Sequence, residues 1–145
     1  MVTVRGMRHD DLSQITEVEK ACFSLPWSKE SFEAELRNEL AYYQCAEKDG
    51  VILGYMGMWR VLDECHITNV AVLPEYRKMG IASMLINKMV EICKCSEIVS
   101  MTLEVRESNF PAINLYEKFG FVPTGKRPKY YVKPVEDAII MWKKI

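Results

Sequence analysis

Asn69-Val70-Ala71-Val72-Leu73-Pro74-Glu75-Tyr76-Arg77-Lys78-Met79-Gly80-Ile81-Ala82-Ser83-Met84-Leu85 changes its pattern halfway along. An apolar, strand-like run meets a proline and a charged turn, passes Gly80 and continues with helical spacing. The first turn of a helix carries about four N–H groups without intrahelical acceptors and the positive end of the dipole, so a phosphate binds there without a dedicated side chain. Gly80 has no Cβ to hold a ligand off the backbone, and Arg77 and Lys78 add positive charge beside it. The spacing alone fits equally well an ordinary strand-to-helix connection flanked by two solvated cations.

Upstream, Val2-Thr3-Val4-Arg5 reads as a short strand, and Asp11-Leu12-Ser13-Gln14 has the form of a capped helix start. Leu12, Ile15, Val18 and Cys22 then recur on one face. After the break at Phe23-Ser24-Leu25-Pro26-Trp27, Ser28 caps a second helix whose apolar face is Phe32, Leu36 and Leu40. Ala41 to Glu47 and Val51 to Trp59 are β-rich, and the Asp49-Gly50 between them predicts a hairpin. Glu64 to Val72 is a further strand, apolar enough toward its end to be covered on both faces.

Downstream, the helix from Gly80 presents Ile81, Leu85, Met89 and Ile92, with Met84 adjoining, and Val99 to Val105 forms the next strand. Asn109 to Gly120 carries agreeing signals at both ends of a helix: Asn at the cap, Pro111 in the first turn and Gly at the stop. Two last strands, around Phe121-Val122-Pro123 and Asp137 to Trp142, are expected to be joined by a long polar loop. This order predicts an α/β plan, a mixed sheet with helices on both faces.

At 145 residues the chain fits one domain, and 49% hydrophobic with 27% charged residues is the composition of a globular protein. No apolar run approaches ~20 residues and no secretory leader is visible, so a soluble cytoplasmic protein without membrane contact is expected. Five cysteines without Cys-x-x-Cys spacing argue for reduced thiols over a disulfide framework or a zinc site. A net charge of −1 does not favour nucleic acid, and Lys126-Arg127-Pro128-Lys129 reads as a solvated basic loop. His9 and His66 stand far apart without a nucleophile constellation, which disfavours a triad hydrolase.

Two side chains invite chemistry. Glu104 is a charge in the apolar strand Leu103-Glu104-Val105-Arg106, on the face opposite its neighbours; by itself it reads as a solvated carboxylate or a partner of Arg106. Tyr116 lies two helical turns from Asn109 and shares a face with Ile113, by itself a core tyrosine.

Arg77, Gly80 and Ala82 resemble the pyrophosphate motif of the GNAT N-acetyltransferases: Arg or Gln, two residues, Gly, any residue, then Gly or Ala. The motif is neither a Walker loop nor Gly-x-Gly-x-x-Gly. Leu103 to Asn109, Ala112 to Phe121, Phe23 to Ser28, Lys129-Tyr130-Tyr131 and Glu136 to Met141 resemble the members of that family that acetylate the N-terminal alanine of a ribosomal protein. The resemblance spans nearly the whole chain and implies a single-domain GNAT fold of 145 residues, a mixed, mostly antiparallel sheet of about six to seven strands with about four helices on its two faces.

It further implies acetyl-CoA as co-substrate, with no metal. Lys78, Met79, Gly80, Ile81, Ala82 and Ser83 would hold its pyrophosphate, Val70, Ala71 and Val72 its pantetheine arm, and Asn109 and Lys118 would add contacts. Glu104 would be the general base, with a pKa raised by burial, and Tyr116 the general acid. The acceptor would be a protein N-terminus, that of a ribosomal protein, met by a monomer; Trp27, Tyr130, Tyr131, Glu136 and Asp137 would frame its approach. Two other readings stay open: a relative acting on another N-terminus, a lysine or a small amine, and a non-catalytic acyl-CoA sensor.

Overall fold

In the computed structural model, which describes residues 1–145, the elements run in the order β1 (Thr3–Gly6), α1 (Leu12–Cys22), α2 (Lys29–Leu36), β2 (Ala41–Lys48), β3 (Val51–Val61), β4 (Glu64–Val72), α3 (Ile81–Cys95), β5 (Ser100–Arg106), α4 (Phe110–Lys118), β6 (Val122–Val132) and β7 (Val135–Lys144). Short 3-10 turns at His9–Asp11 and Pro74–Tyr76 precede α1 and α3. The strands form one seven-stranded sheet in the order β1-β2-β3-β4-β5-β7-β6, antiparallel throughout except between β4 and β5. Asp49 and Gly50 both take positive φ, 51° and 80°, which gives the tight turn that lets β3 fold back on β2.

Each sheet face buries its own apolar stripe. Leu12, Ile15 and Val18 of α1 and Phe32 of α2 pack on Tyr43, Cys45, Ile52 and Tyr55. On the other face, Ile81, Leu85, Ile86, Met89, Val90 and Cys93 of α3 and Tyr116 of α4 cover Met56, Met58, Met101, Leu103 and Met141. The buried stripe of α3 is therefore centred between the expected Leu85–Met89 row and the Ile86–Val90–Cys93 row, and Ile92 lies at its margin. Gly57 lets the Tyr43 ring cross β3, since a Cβ there would sit 2.3 Å from the ring.

The one parallel pair is short. β4 and β5 are in register only at Glu64–Ser100, Cys65–Met101 and His66–Thr102. On its other side β4 stays paired with β3 up to Val72, but Gly57 opposes Asn69 while Met58 opposes Ile67, so Thr68 is an extra residue in β4. A bulge bends and twists its strand. Beyond it β4 leans away from β5, and the main-chain edge that β5 would have paired is left open.

Three expectations change. Asp11 does not cap α1: its carboxylate receives Arg5 Nη1 at 2.8 Å and the Arg8 N–H at 2.8 Å, because a guanidinium held by β1 outcompetes helix amides. Leu40 lies beyond the end of α2 and is exposed, since the helix stops at Leu36. The strand expected around Phe121-Val122-Pro123 continues through most of the expected loop as β6 to Val132, an edge strand with one partner and no buried residue, so it lacks the apolar alternation that marks a strand.

Candidate active site

The splay of β4 from β5 opens a cleft of about 1180 Å³. One wall is the edge of β4 from Thr68 to Val72, and the opposite wall is Glu104, Val105 and Arg106 of β5. The start of α3, the α4 residues through Tyr116 and Lys118, the Cys22 to Trp27 segment and the Tyr130 to Pro134 hairpin complete it.

At the α3 end, Gly80 takes φ 79° and stands at the N-cap without a side-chain hydrogen bond; a Cβ there would meet nothing within 4 Å. Met84 N–H donates to the Gly80 carbonyl at 3.1 Å as the first bond of the helix, so the amides of Ile81, Ala82 and Ser83 precede the ladder. Lys78 is also left-handed at φ 64°. Arg77 donates from Nε to the Val72 carbonyl at 3.2 Å, which ties this turn to β4, and approaches Cys22 Sγ at 3.6 Å. An open N-terminus, a bare glycine and cations are what a diphosphate fits.

Of the residues expected around the co-substrate, Val70, Ala71, Val72, Lys78, Gly80, Ile81, Ala82, Ser83, Asn109 and Lys118 line this one cleft. Met79 does not; its side chain is 63% exposed and stands outside the lining. The Asn109 side chain accepts the Ala112 N–H at 3.3 Å, capping α4 and fixing where that helix enters the cleft.

Glu104 also lines the cleft, and its side chain is only 8% exposed. Its partner is not Arg106, which turns to Glu136 at 3.1 Å and to the Pro134 carbonyl at 3.0 Å. Instead His66 Nε2 lies 2.7 Å from Glu104 Oε1, and since a carboxylate only accepts, Nε2 carries the proton. Tyr130 donates its hydroxyl to the same oxygen at 3.3 Å, and Arg127 Nε stands 3.8 Å from Oε2.

The expected rise in the Glu104 pKa is therefore reversed. The His66 hydrogen bond, helped by the His66 and Arg127 charges and by Tyr130, outweighs desolvation and holds the carboxyl below its ordinary value. His66 was invisible as a site residue in the sequence, because its partner is 38 positions away across the one parallel pairing.

Tyr116 is buried, packs edge-on against Phe121 at 5.8 Å, and lines the cleft. Burial, with a smaller push from Tyr131, raises its phenol above the usual range, so it stays protonated. Trp27, Tyr130 and Tyr131 border the cleft, but Glu136 and Asp137 do not. Glu136 is engaged by Arg106 and the Ser108 N–H, and Asp137 accepts the Lys129 N–H at 2.9 Å. The two rims meet where Ser24 Oγ donates to the Lys133 carbonyl at 2.6 Å. Behind them Glu19, buried and with its pKa raised by desolvation, binds the Tyr55 hydroxyl and the Trp27 N–H. Lys126 and Arg127, expected on a solvated loop, lie on β6 and reach Glu107 and Glu104.

A mixed sheet split at its one parallel pair, with a helix N-terminus at one end of the split and a carboxylate at the other, defines an acetyltransferase: the chain belongs to the acetyltransferase (GNAT) family, whose sequence profile matches residues 12–121. It is 46% identical over 140 residues, 96% of this chain and 93% of the relative, to a Bacillus subtilis protein provisionally named a ribosomal protein bS18-alanine N-acetyltransferase. It is 31% identical over 143 residues, 97% of this chain and 96% of the relative, to the Escherichia coli K12 protein of that name. The crystal structure of the Escherichia coli ribosomal-protein-S18-alanine N-acetyltransferase superposes with a TM-score of 0.92, covering 100% of this chain and 94% of that one, at 31% identity. No helix is long and apolar enough to cross a membrane.

Proposed function

We propose that this chain transfers an acetyl group from acetyl-CoA to the N-terminal α-amino group of a protein, the N-terminal alanine of ribosomal protein bS18. The names of its relatives support that acceptor, and a ribosomal acceptor places the reaction in the cytoplasm. The observation that carries the reading is one cleft holding a buried carboxylate paired with an imidazole, a protonated tyrosine and an open helix N-terminus. Every one of these groups comes from a single chain, so a monomer suffices.

Acetyl-CoA supplies an activated acetyl thioester. The amides of Ile81, Ala82 and Ser83, with Lys78 and Lys118, hold its diphosphate, and the free edge of Val70 to Val72 offers main-chain groups to its pantetheine and N–H to the carbonyl oxygen. An α-amino group with pKa ~8 arrives mostly protonated and must lose that proton to react. Glu104, held ionised, draws the ammonium by charge. Because its own proton affinity is low, Glu104 works with the imidazole it holds, and the hydrogen-bonded pair rather than the carboxylate alone is the base. Tyr116, kept neutral, donates its own hydroxyl proton to the departing sulfur and is reprotonated from solvent as the cleft empties.

The test is turnover of a peptide beginning with alanine. Glu104→Gln and Tyr116→Phe are expected to bind acetyl-CoA as the parent does and to lose turnover; parental rates in both would overturn the assignment. Tight acetyl-CoA binding by the unaltered protein, with no product from peptides, lysines or small amines, would instead mark a non-catalytic sensor.

A further inference from the structure

The irregularity in the outermost pair of strands points at the base. Arg127 of β6 opposes Ala138 of β7 and Tyr131 opposes Glu136, so Pro128, Lys129 and Tyr130 stand against Asp137 alone. All three of these residues are exposed, and the one ring contact among them is Tyr130 edge-on to Tyr131 at 5.1 Å, which leaves Lys129 itself without packing. Lys129 sits at φ 52°, a left-handed conformation that carries a steric cost for a residue with a Cβ. What holds it is one bond, from the Lys129 N–H to Asp137 Oδ1 at 2.9 Å. The next residue is Tyr130, whose hydroxyl reaches Glu104 Oε1 at 3.3 Å.

We propose that Asp137 is a positioning residue: its carboxylate pins Lys129 in the left-handed conformation, and that backbone sets the Tyr130 hydroxyl on Glu104. The inference rests on the reading of Glu104 as part of the base. The charged and titratable groups that face Glu104 are His66 from β4 and Arg127, Tyr130 and, further off, Tyr131 from β6. Asp137 is not among them, so it acts only through the bulge. An Asp at this position, one residue after the Arg106 partner Glu136, otherwise reads as part of an acidic patch for the acceptor, but its Oδ1 is already engaged by its own chain.

The experiment compares the full chain with D137A, D137N, Y130F, D137A/Y130F, D137A/K129G and E104Q, reading kcat and KM for acetyl-CoA on an alanine-starting peptide. D137A and Y130F are each expected to lower kcat about fivefold to tenfold, the scale of one ordinary net hydrogen bond, with KM for acetyl-CoA unchanged. The double variant D137A/Y130F falls no further than either single one. D137N keeps the acceptor oxygen and restores kcat, and so does K129G added to D137A, because glycine takes positive φ without a pin. Should D137A not fold, D137A/K129G is still expected to fold and turn over.

Parental kcat in D137A, losses that multiply in D137A/Y130F, a D137N as impaired as D137A, or failure of K129G to rescue would each overturn the proposal. An inactive E104Q beside an unimpaired D137A refutes the positioning role alone, whereas an active E104Q refutes the acetyl-transfer reading beneath it.

Discussion

Replacing His66 with alanine tests the pairing at the centre of the cleft. His66 Nε2 is 2.7 Å from Glu104 Oε1, the Glu104 side chain is 8% exposed and that of His66 36%. A hydrogen bond to a charged group contributes about 1.5–3 kcal/mol, and solvent reaching a third of His66 puts this one at the lower end. Tyr130 and Arg127 remain beside Glu104 in the variant, so the carboxylate is not stranded. The expected loss of stability is about 1.5 kcal/mol wherever Glu104 is ionised.

The sign is set by the lowered pKa. His66 holds Glu104 below its ordinary value, so this stabilisation is complete above the unfolded carboxylate pKa of ~4.3 and disappears as pH falls through the depressed folded value. Urea unfolding of parent and variant, stepped from about pH 5 to about pH 2.5, follows the carboxyl through its titration. The gap in stability is expected at the upper end and closes at the lower. A gap that persists unchanged to the acid end refutes the pairing as its cause. Peptide turnover should fall about tenfold, the rate equivalent of the same energy, with acetyl-CoA affinity retained.

Three further substitutions probe other parts of the site. Tyr116→Phe removes a hydroxyl that no hydrogen bond of the chain perturbs, so turnover should drop at least about tenfold while the urea midpoint stays within error of the parent. Gly80→Ala meets no atom within 4 Å but places a Cβ at φ 79°; it should cost about 1 kcal/mol of stability by denaturation and weaken acetyl-CoA several-fold by titration calorimetry. Gly57→Ala would put a Cβ 2.3 Å from the Tyr43 ring, and a lowered urea midpoint equivalent to about 1–3 kcal/mol is expected from the forced repacking.

Local signals carried far in this chain. Asp49-Gly50 specified a turn, Asn109, Pro111 and Gly120 specified both ends of α4, and the strand-to-helix change at Gly80 placed the start of α3, because each depends on backbone conformations that neighbouring residues decide. What stayed hidden is long-range. The Thr68 bulge exists only relative to β3, and the three-residue parallel register exists only relative to β5, yet together they open the cleft. The His66–Glu104 pair depends on that register, and with it the direction of the Glu104 pKa: burial was legible, the imidazole that outweighs it was not. Asp11 looks like a helix cap and Asp137 like a frame for the acceptor in sequence, because the turn that returns Asp11 to Arg5 and the β6–β7 pairing that brings Lys129 to Asp137 are not written in either residue's neighbours. Only the start of β6 was legible, because the exposed edge strand beyond Pro123 has no apolar rhythm.

The most direct measurement is intact-mass and fragment analysis of unacetylated small-subunit ribosomal proteins after incubation with this chain and acetyl-CoA. The account predicts a single added acetyl group on the N-terminal alanine of bS18, absent when Glu104→Gln replaces the parent. Acetyl groups on lysine side chains, on a different N-terminus, or on no protein at all would contradict it.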